Sequence, residues 1–131
     1  MGKLFNIRGV LESLYNSVSS VSKNRFLERP NNTQKPMNDF VVVSIQTKIT
    51  STTYGYDNYQ SECVGRITLF AKDLKGGEQN IVSLQKMIDS AMTLFPLHNE
   101  LITAYKPNII DLGSDGNGFH AIAIQFKLTI N

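Results

Sequence analysis

The sequence predicts an α+β domain: one antiparallel sheet of two long hairpins with two amphipathic helices packed on it, in the order α–β–β–α–β–β. Two stretches place apolar residues three and four apart, as a helix buried along one stripe requires. Three others alternate apolar and polar residues, the period of a strand. A Gly-rich Asp-Gly, Asn-Gly turn stands between the last two extended segments. The 131 residues, 41% of them hydrophobic, make one domain's worth of chain, so residues 1–131 are read as a single domain.

The first helix is expected over residues 3–21, with Leu4, Ile7, Leu11, Leu14, Val18 and Val21 on its stripe. Its Ser-rich end, Ser17 to Ser22, has weak helix propensity and should fray. Residues 22–38 contain Pro30 and Pro36 among several Asn and show no periodicity, so a long irregular connection is expected. Connections of that length in a small domain are often functional.

Phe40–Thr50 reads as the first strand, with Val41, Val43, Ile45, Thr47 and Ile49 on one face. Thr53–Tyr59 follows as a loop carrying Tyr54, Tyr56 and Tyr59. The second strand runs from Glu62 to Ala71 and turns Cys63, Ile67, Leu69 and Ala71 one way. Val64 and Phe70 on its other side imply that both faces are partly covered. After a turn at Asp73–Glu78, a second helix is expected over Gln79–Phe95, with Ile81, Leu84, Ile88, Ala91 and Phe95 on its stripe. Asn80 is the candidate cap and Pro96 closes it. Leu101–Leu112 is extended but interrupted by Pro107, which argues for an edge or a bulge. Gly113–Gly118 is a hairpin turn, and Ile122, Ile124, Phe126, Leu128 and Ile130 alternate along the last strand.

Composition excludes whole-chain disorder, and no apolar stretch approaches the roughly 18 residues of a membrane helix. The start, Met1 to Arg8, has neither the apolar core of a signal peptide nor the Ser or Thr of a myristoylation signal, since Asn6 stands there. A soluble, unexported domain is the expectation. A single cysteine, Cys63, rules out a disulfide framework within the chain, and its place in a strand reads as a small core residue. The net charge of +2 is too small to argue for nucleic acid. Residues 1–36 nonetheless carry six basic and two acidic side chains, with Lys23, Arg25, Arg29 and Lys35 grouped in the connection. That group reads as a solvated loop or as a basic arm meeting an acidic surface or DNA.

No constellation for chemistry emerges. His98 and His120 stand alone, without the clustering a metal needs. Asp111–Gly116 starts like a calcium loop but has Gly at the third position and Ile122 at the twelfth. Gly76-Gly77 lacks the Lys and Ser/Thr of a phosphate loop, and Gly113-Ser114-Asp115 is not a nucleophile elbow. The carboxylates Asp57, Glu62, Asp73, Glu78, Asp111 and Asp115 fall mostly in expected turns. No catalytic, cofactor-binding or metal residue is assigned, and no enzyme activity or cofactor is expected. Tyr54, Tyr56 and Tyr59 have no basic residue between them, which favours a packing or interaction loop over a base-stacking platform.

In element order and patterning the chain resembles the tail terminator proteins (tail completion, minor tail or neck proteins) of long-tailed bacteriophages. The resemblance is carried by Phe40-Val41-Val42-Val43-Ser44-Ile45, Arg66-Ile67-Thr68-Leu69-Phe70-Ala71 and the alternating run Ala121–Ile130, and it spans nearly the whole chain without a diagnostic motif. It implies a virion structural protein, assembled in the host cytoplasm, that forms a homo-oligomeric ring of six on the head-proximal end of the tail tube. Such a ring ends tube polymerisation and offers a joining surface to the head connector or head-closure protein. DNA passes through its channel without specific binding, and no membrane is involved. The length and composition of residues 22–38 and of Thr53–Tyr59 make Arg29, Pro30, Asn31, Asn32, Tyr54, Tyr56 and Tyr59 the candidates for the intersubunit or tube-facing surface. The resemblance also implies an acidic channel lining, for which Asp57, Glu62, Asp111 and Asp115 are the candidates.

Three alternatives remain open at the level of sequence. One is another neck protein, a head-closure or adaptor subunit, or a tail-tube-like subunit that polymerises. Another is a small cellular α+β module holding a peptide or small ligand. The third is a nucleic-acid-binding protein using Lys23, Arg25, Arg29 and Lys35.

Overall fold

A computed structural model describes residues 7–27, 38–45, 50–54 and 58–130. Helix α1 (Ile7–Ser17) continues into a 3₁₀ turn at Val18–Ser20, where the serines weaken the α-helix as expected. The strands are β1 (Arg25–Phe26), β2 (Asp39–Ile45), β3 (Thr50–Tyr54), β4 (Asn58–Lys72), β5 (Leu97–His98), β6 (Ile102–Ser114) and β7 (Phe119–Ile130), with helix α2 (Ile81–Met92) between β4 and β5. They form one sheet in the order β1–β2–β4–β7–β6–β5, and β3 pairs with β4 on the side β2 occupies.

The α+β class is as expected, but the order α–β–β–α–β–β is not matched, because β1, β3 and β5 are additional strands and the sheet is mixed rather than antiparallel. Both long hairpins are present and join through β4 and β7, which pair antiparallel from Glu62↔Thr129 to Lys72↔Phe119. The first hairpin differs from expectation in two ways. Its outer strand is broken: between Ile45↔Gly65 and Thr50↔Glu62 it spends two more residues than β4, so the ladder restarts as β3. Its tip is also tighter, because pairing continues to Tyr54↔Asn58, leaving Thr53, Tyr54, Asn58 and Tyr59 on the ladder rather than in a loop. Within 22–38, Arg25–Phe26 forms a short strand parallel to Val41–Val42, which makes the sheet mixed. Two residues are too few for any periodicity to announce.

Both helices lie on one face. Val10, Leu14 and Val18 of the first segment and Leu84, Met87 and Ala91 of α2 share a core with Val41, Val43, Cys63, Ile67, Leu69, Ile122, Ile124, Phe126 and Leu128. The strand faces are therefore those the alternation gave, whereas the helix stripes are shifted. Val10 rather than Leu11 is buried in α1, and Ile81 at the start of α2 is 60% exposed. Asn80 caps α2, its side-chain oxygen accepting from Ser83 N at 3.2 Å. The helix stops earlier than Phe95. Leu94 N and Phe95 N donate three residues back, to Ala91 O and Met92 O, as the chain tightens before Pro96. Phe95 then packs on Phe126, ring centroids 4.9 Å apart.

The opposite face carries no described helix. At one end Phe40 stacks on Phe70 with centroids 4.4 Å apart, and Phe26 and Phe119 meet Phe40 edge-on at 6.0 and 5.1 Å. The β6–β7 turn follows the sequence closely: Gly116 and Gly118, second in the Asp-Gly and Asn-Gly pairs, have φ of +79° and +89°.

Candidate assembly surface

Strand β6 lies near one side of the sheet, and β5 covers only its Thr103–Ala104 stretch. From Tyr105 to Ser114 no described strand pairs with its outer side. The ladder with β7 is irregular twice, between Tyr105 and Asn108 and between Asp111 and Gly113. The first irregularity falls at Pro107, as its missing N–H predicts, and puts Lys106 in the left-handed region at φ +55°. Beyond that bulge the edge is apolar. Ile109 is 51% exposed on the helix side, where it pairs with Ile124. Ile110, 36% exposed, pairs with Ala123 on the other side, and Leu112 is 43% exposed. Protein edges are ordinarily blunted by charge, proline or bulges, and here Lys106-Pro107 and the irregularity at Asp111–Gly113 do so on either side of Ile109 and Ile110. At the far side of the sheet β1 pairs with Val41–Val42. A second apolar exposure lies where β4 passes into α2, at Leu74, Ile81 and Val82.

Two of the acidic candidates for a channel lining, Asp111 and Asp115, have described side-chain partners. The Asp111 carboxylate accepts from Gly113 N at 2.9 Å, and that of Asp115 accepts from Asn117 N at 2.7 Å and Phe119 N at 3.1 Å. Both therefore shape their own turns. Glu62 pairs with Thr129, whereas Asp111 pairs with Ile122, seven residues away along β7. That separates them by about 23 Å at strand rise. Asp57 lies outside the described residues, as do Arg29, Pro30, Asn31, Asn32 and Tyr56. Tyr54 and Tyr59 stand on the ladder at the tip of the first hairpin.

Arg25 leaves the basic group of the connection. Its Nη1 donates to Tyr15 O at 2.9 Å and its guanidinium lies 4.4 Å over the Tyr15 ring, tying β1 to α1. A shallow polar cleft of about 540 Å³ opens beside this joint. Its groups satisfy one another: Ser22 Oγ donates to Asp39 Oδ1 at 2.5 Å, and Asn24 Nδ2 donates to Asp39 O at 3.0 Å.

The remaining chemical candidates are also embedded in structure. His98 Nδ1 meets Thr103 Oγ1 at 2.7 Å, and His120 Nδ1 hydrogen-bonds the Asp73 carboxylate where β4 ends beside the start of β7. Burial pushes the Cys63 thiol up to about 11, as befits the core residue it was expected to be. Among the described residues no three His, Cys, Asp or Glu gather as a metal site, and no helix is long and apolar enough to cross a membrane. The feature that sequence reasoning missed is Arg66, a charged residue between Cys63 and Ile67 in the central part of β4. It sits on the helix-free face and donates from Nη2 to Gln125 Oε1 at 2.9 Å.

No family model and no curated protein matches the chain. Among solved structures 24 chains match. One of them, known only by a sequence identifier, superposes with a TM-score of 0.59 at 14% identity, covering 95% of this chain and 93% of that chain. At that identity the likeness shows the fold alone, and it shows that the α+β architecture recurs as a whole rather than in part.

Proposed function

We propose that this chain is a virion structural protein that forms a ring, six subunits in number, on the head-proximal end of a phage tail tube. It ends tube growth there and presents a joining surface to the head connector or head-closure protein. The observation that carries the reading is the outer edge of β6, with exposed Ile109, Ile110 and Leu112 on a strand whose side away from β7 lacks a described partner beyond Ala104. The sequence resemblance to tail terminators supplies the tube, the connector and the passing DNA as partners, with the virion neck as location.

The test is the mass of the purified chain across a concentration series, with negative-stain images of the same samples and of mixtures with purified tail tubes. Closed rings, free or on tube ends, support the reading. Open filaments assign the chain to a tube-like subunit instead. A monomer that also leaves tube ends bare refutes it, in favour of a small cellular binding module.

A further inference from the structure

We infer that the helix-free face of the sheet holds a site for the carboxylate of an acidic protein segment, with Arg66 at its centre. One polar row crosses four neighbouring strands of this face, Ser44–Arg66–Gln125–Asn108 in register. At normal strand spacing it is about 14 Å long. The adjoining row brings Lys127 and Tyr105 alongside. Asn108 and Lys127 are exposed, and Arg66 and Gln125 are half-buried.

The guanidinium is underused. One hydrogen bond, to Gln125, is made by Nη2, while Nε is buried without a partner. No carboxylate stands on this face among the strand residues whose side chains are described. Glu62 shares this strand face four residues along β4, and among the described side chains Arg66 has no carboxylate partner and one unsatisfied donor, so an incoming anion supplies the counter-charge. Because Gln125 turns its oxygen to Arg66, its amide hydrogens face away and are free to donate to the same anion. Carboxylate is the ligand a planar guanidinium with flanking amides fits best.

A protein segment suits the surroundings better than nucleic acid. A phosphate backbone calls for a string of exposed cations. Here Lys127 is the exposed cation beside Arg66, and Lys106 leans over the Tyr105 ring with its Nζ 6.0 Å from the centroid. Ile110 and the Phe26–Phe40–Phe119 cluster flank the row on its other side, so an acidic residue within an apolar segment matches the face. The site does not depend on ring formation.

The experiment is a titration of the ¹⁵N-labelled full chain with hexaglutamate, and separately with hexathymidylate, at low salt. Hexaglutamate should shift the Gln125 side-chain amide and the Arg66 Nε–H resonance saturably. Arg66→Gln should weaken it by about fivefold or more, with the backbone spectrum otherwise preserved. Lys127→Gln, at an exposed position, gives a second reading if the first variant fails to fold, and should weaken binding as well. The proposal is overturned by an absence of shifts, by equal shifts at distant exposed lysines such as Lys75 and Lys86, or by unchanged affinity in both variants. Tighter binding of hexathymidylate at the same residues overturns it in favour of nucleic acid.

Discussion

The ring of Phe126 occupies the space in which a side chain at Gly65 would stand. The two residues face each other across β4 and β7, and a Cβ on Gly65 would lie 2.5 Å from Cε2 and 2.6 Å from Cζ. Phe95 closes the other side of the ring. Gly65→Ala must therefore push the ring into a packed core and should destabilise the fold by about 1–3 kcal/mol. Phe126→Ala should cost about 3–5 kcal/mol. Combining Gly65→Ala with Phe126→Leu should cost less than the sum of the single changes, because the smaller side chain vacates the contested space. Urea unfolding of the wild type, the three single variants and the double variant checks this.

Cys63 should resist thiol reagents in the folded chain at pH 8 and react fully once denatured, measured with a chromogenic disulfide. Its folded thiol holds its proton to about pH 11, against an ordinary 9.0. The unfolded chain thus loses this proton first. The stabilising contribution is complete below pH 9 and is lost as pH rises through 11. The Cys63→Ala chain should lack that component of alkaline destabilisation.

Asn80→Ala removes the acceptor for Ser83 N at the start of α2 and should lower stability by about 1 kcal/mol, whereas Asn80→Ser should restore most of it. Thermal melts followed by circular dichroism distinguish the two variants.

Ile109→Lys and Leu112→Lys place charge on the outer edge of β6, at side chains already half-exposed. Monomer stability should move by no more than about 0.5 kcal/mol. Assembly should weaken sharply, seen as a loss of the oligomer by native mass spectrometry. A ring that persists in both variants would move the subunit contact away from β6.

The strands were legible because their alternation is long: Cys63, Ile67, Leu69 and Ala71 point together over many residues, and a core face follows from parity alone. Pro107 gave away the bulge through its missing N–H, and Asn80 its cap through its side chain. The helix stripes were less certain by one residue. Leu11 and Val10 both satisfy helical spacing, and only the packing on Val41 and Val43 decides between them. Ile81 fits the stripe but precedes the point where α2 reaches the sheet. The polar row through Arg66 was illegible for a different reason. Its members lie 22, 59 and 17 positions apart in the chain and become neighbours only through register. The acidic candidates show the same limit, since spacing in sequence says nothing of the distance between Glu62 and Asp111.

The placement of β7 bears on how the chain is synthesised. It comes after all the other described strands in the chain, yet it lies between β4 and β6 in the middle of the sheet. While the ribosome is still at work, β4 has a partner on one side only, and β6 has none beyond the short β5. The pairing that joins the two halves must wait for residues some 57 positions downstream, so this fold has little to form early and much to form at once. A nascent chain in that condition exposes apolar strands to its neighbours on the polysome. The apolar edge of β6 is held in its final shape only after Ile122 and Ile124 have arrived, which ties the ability to associate to the completion of the subunit.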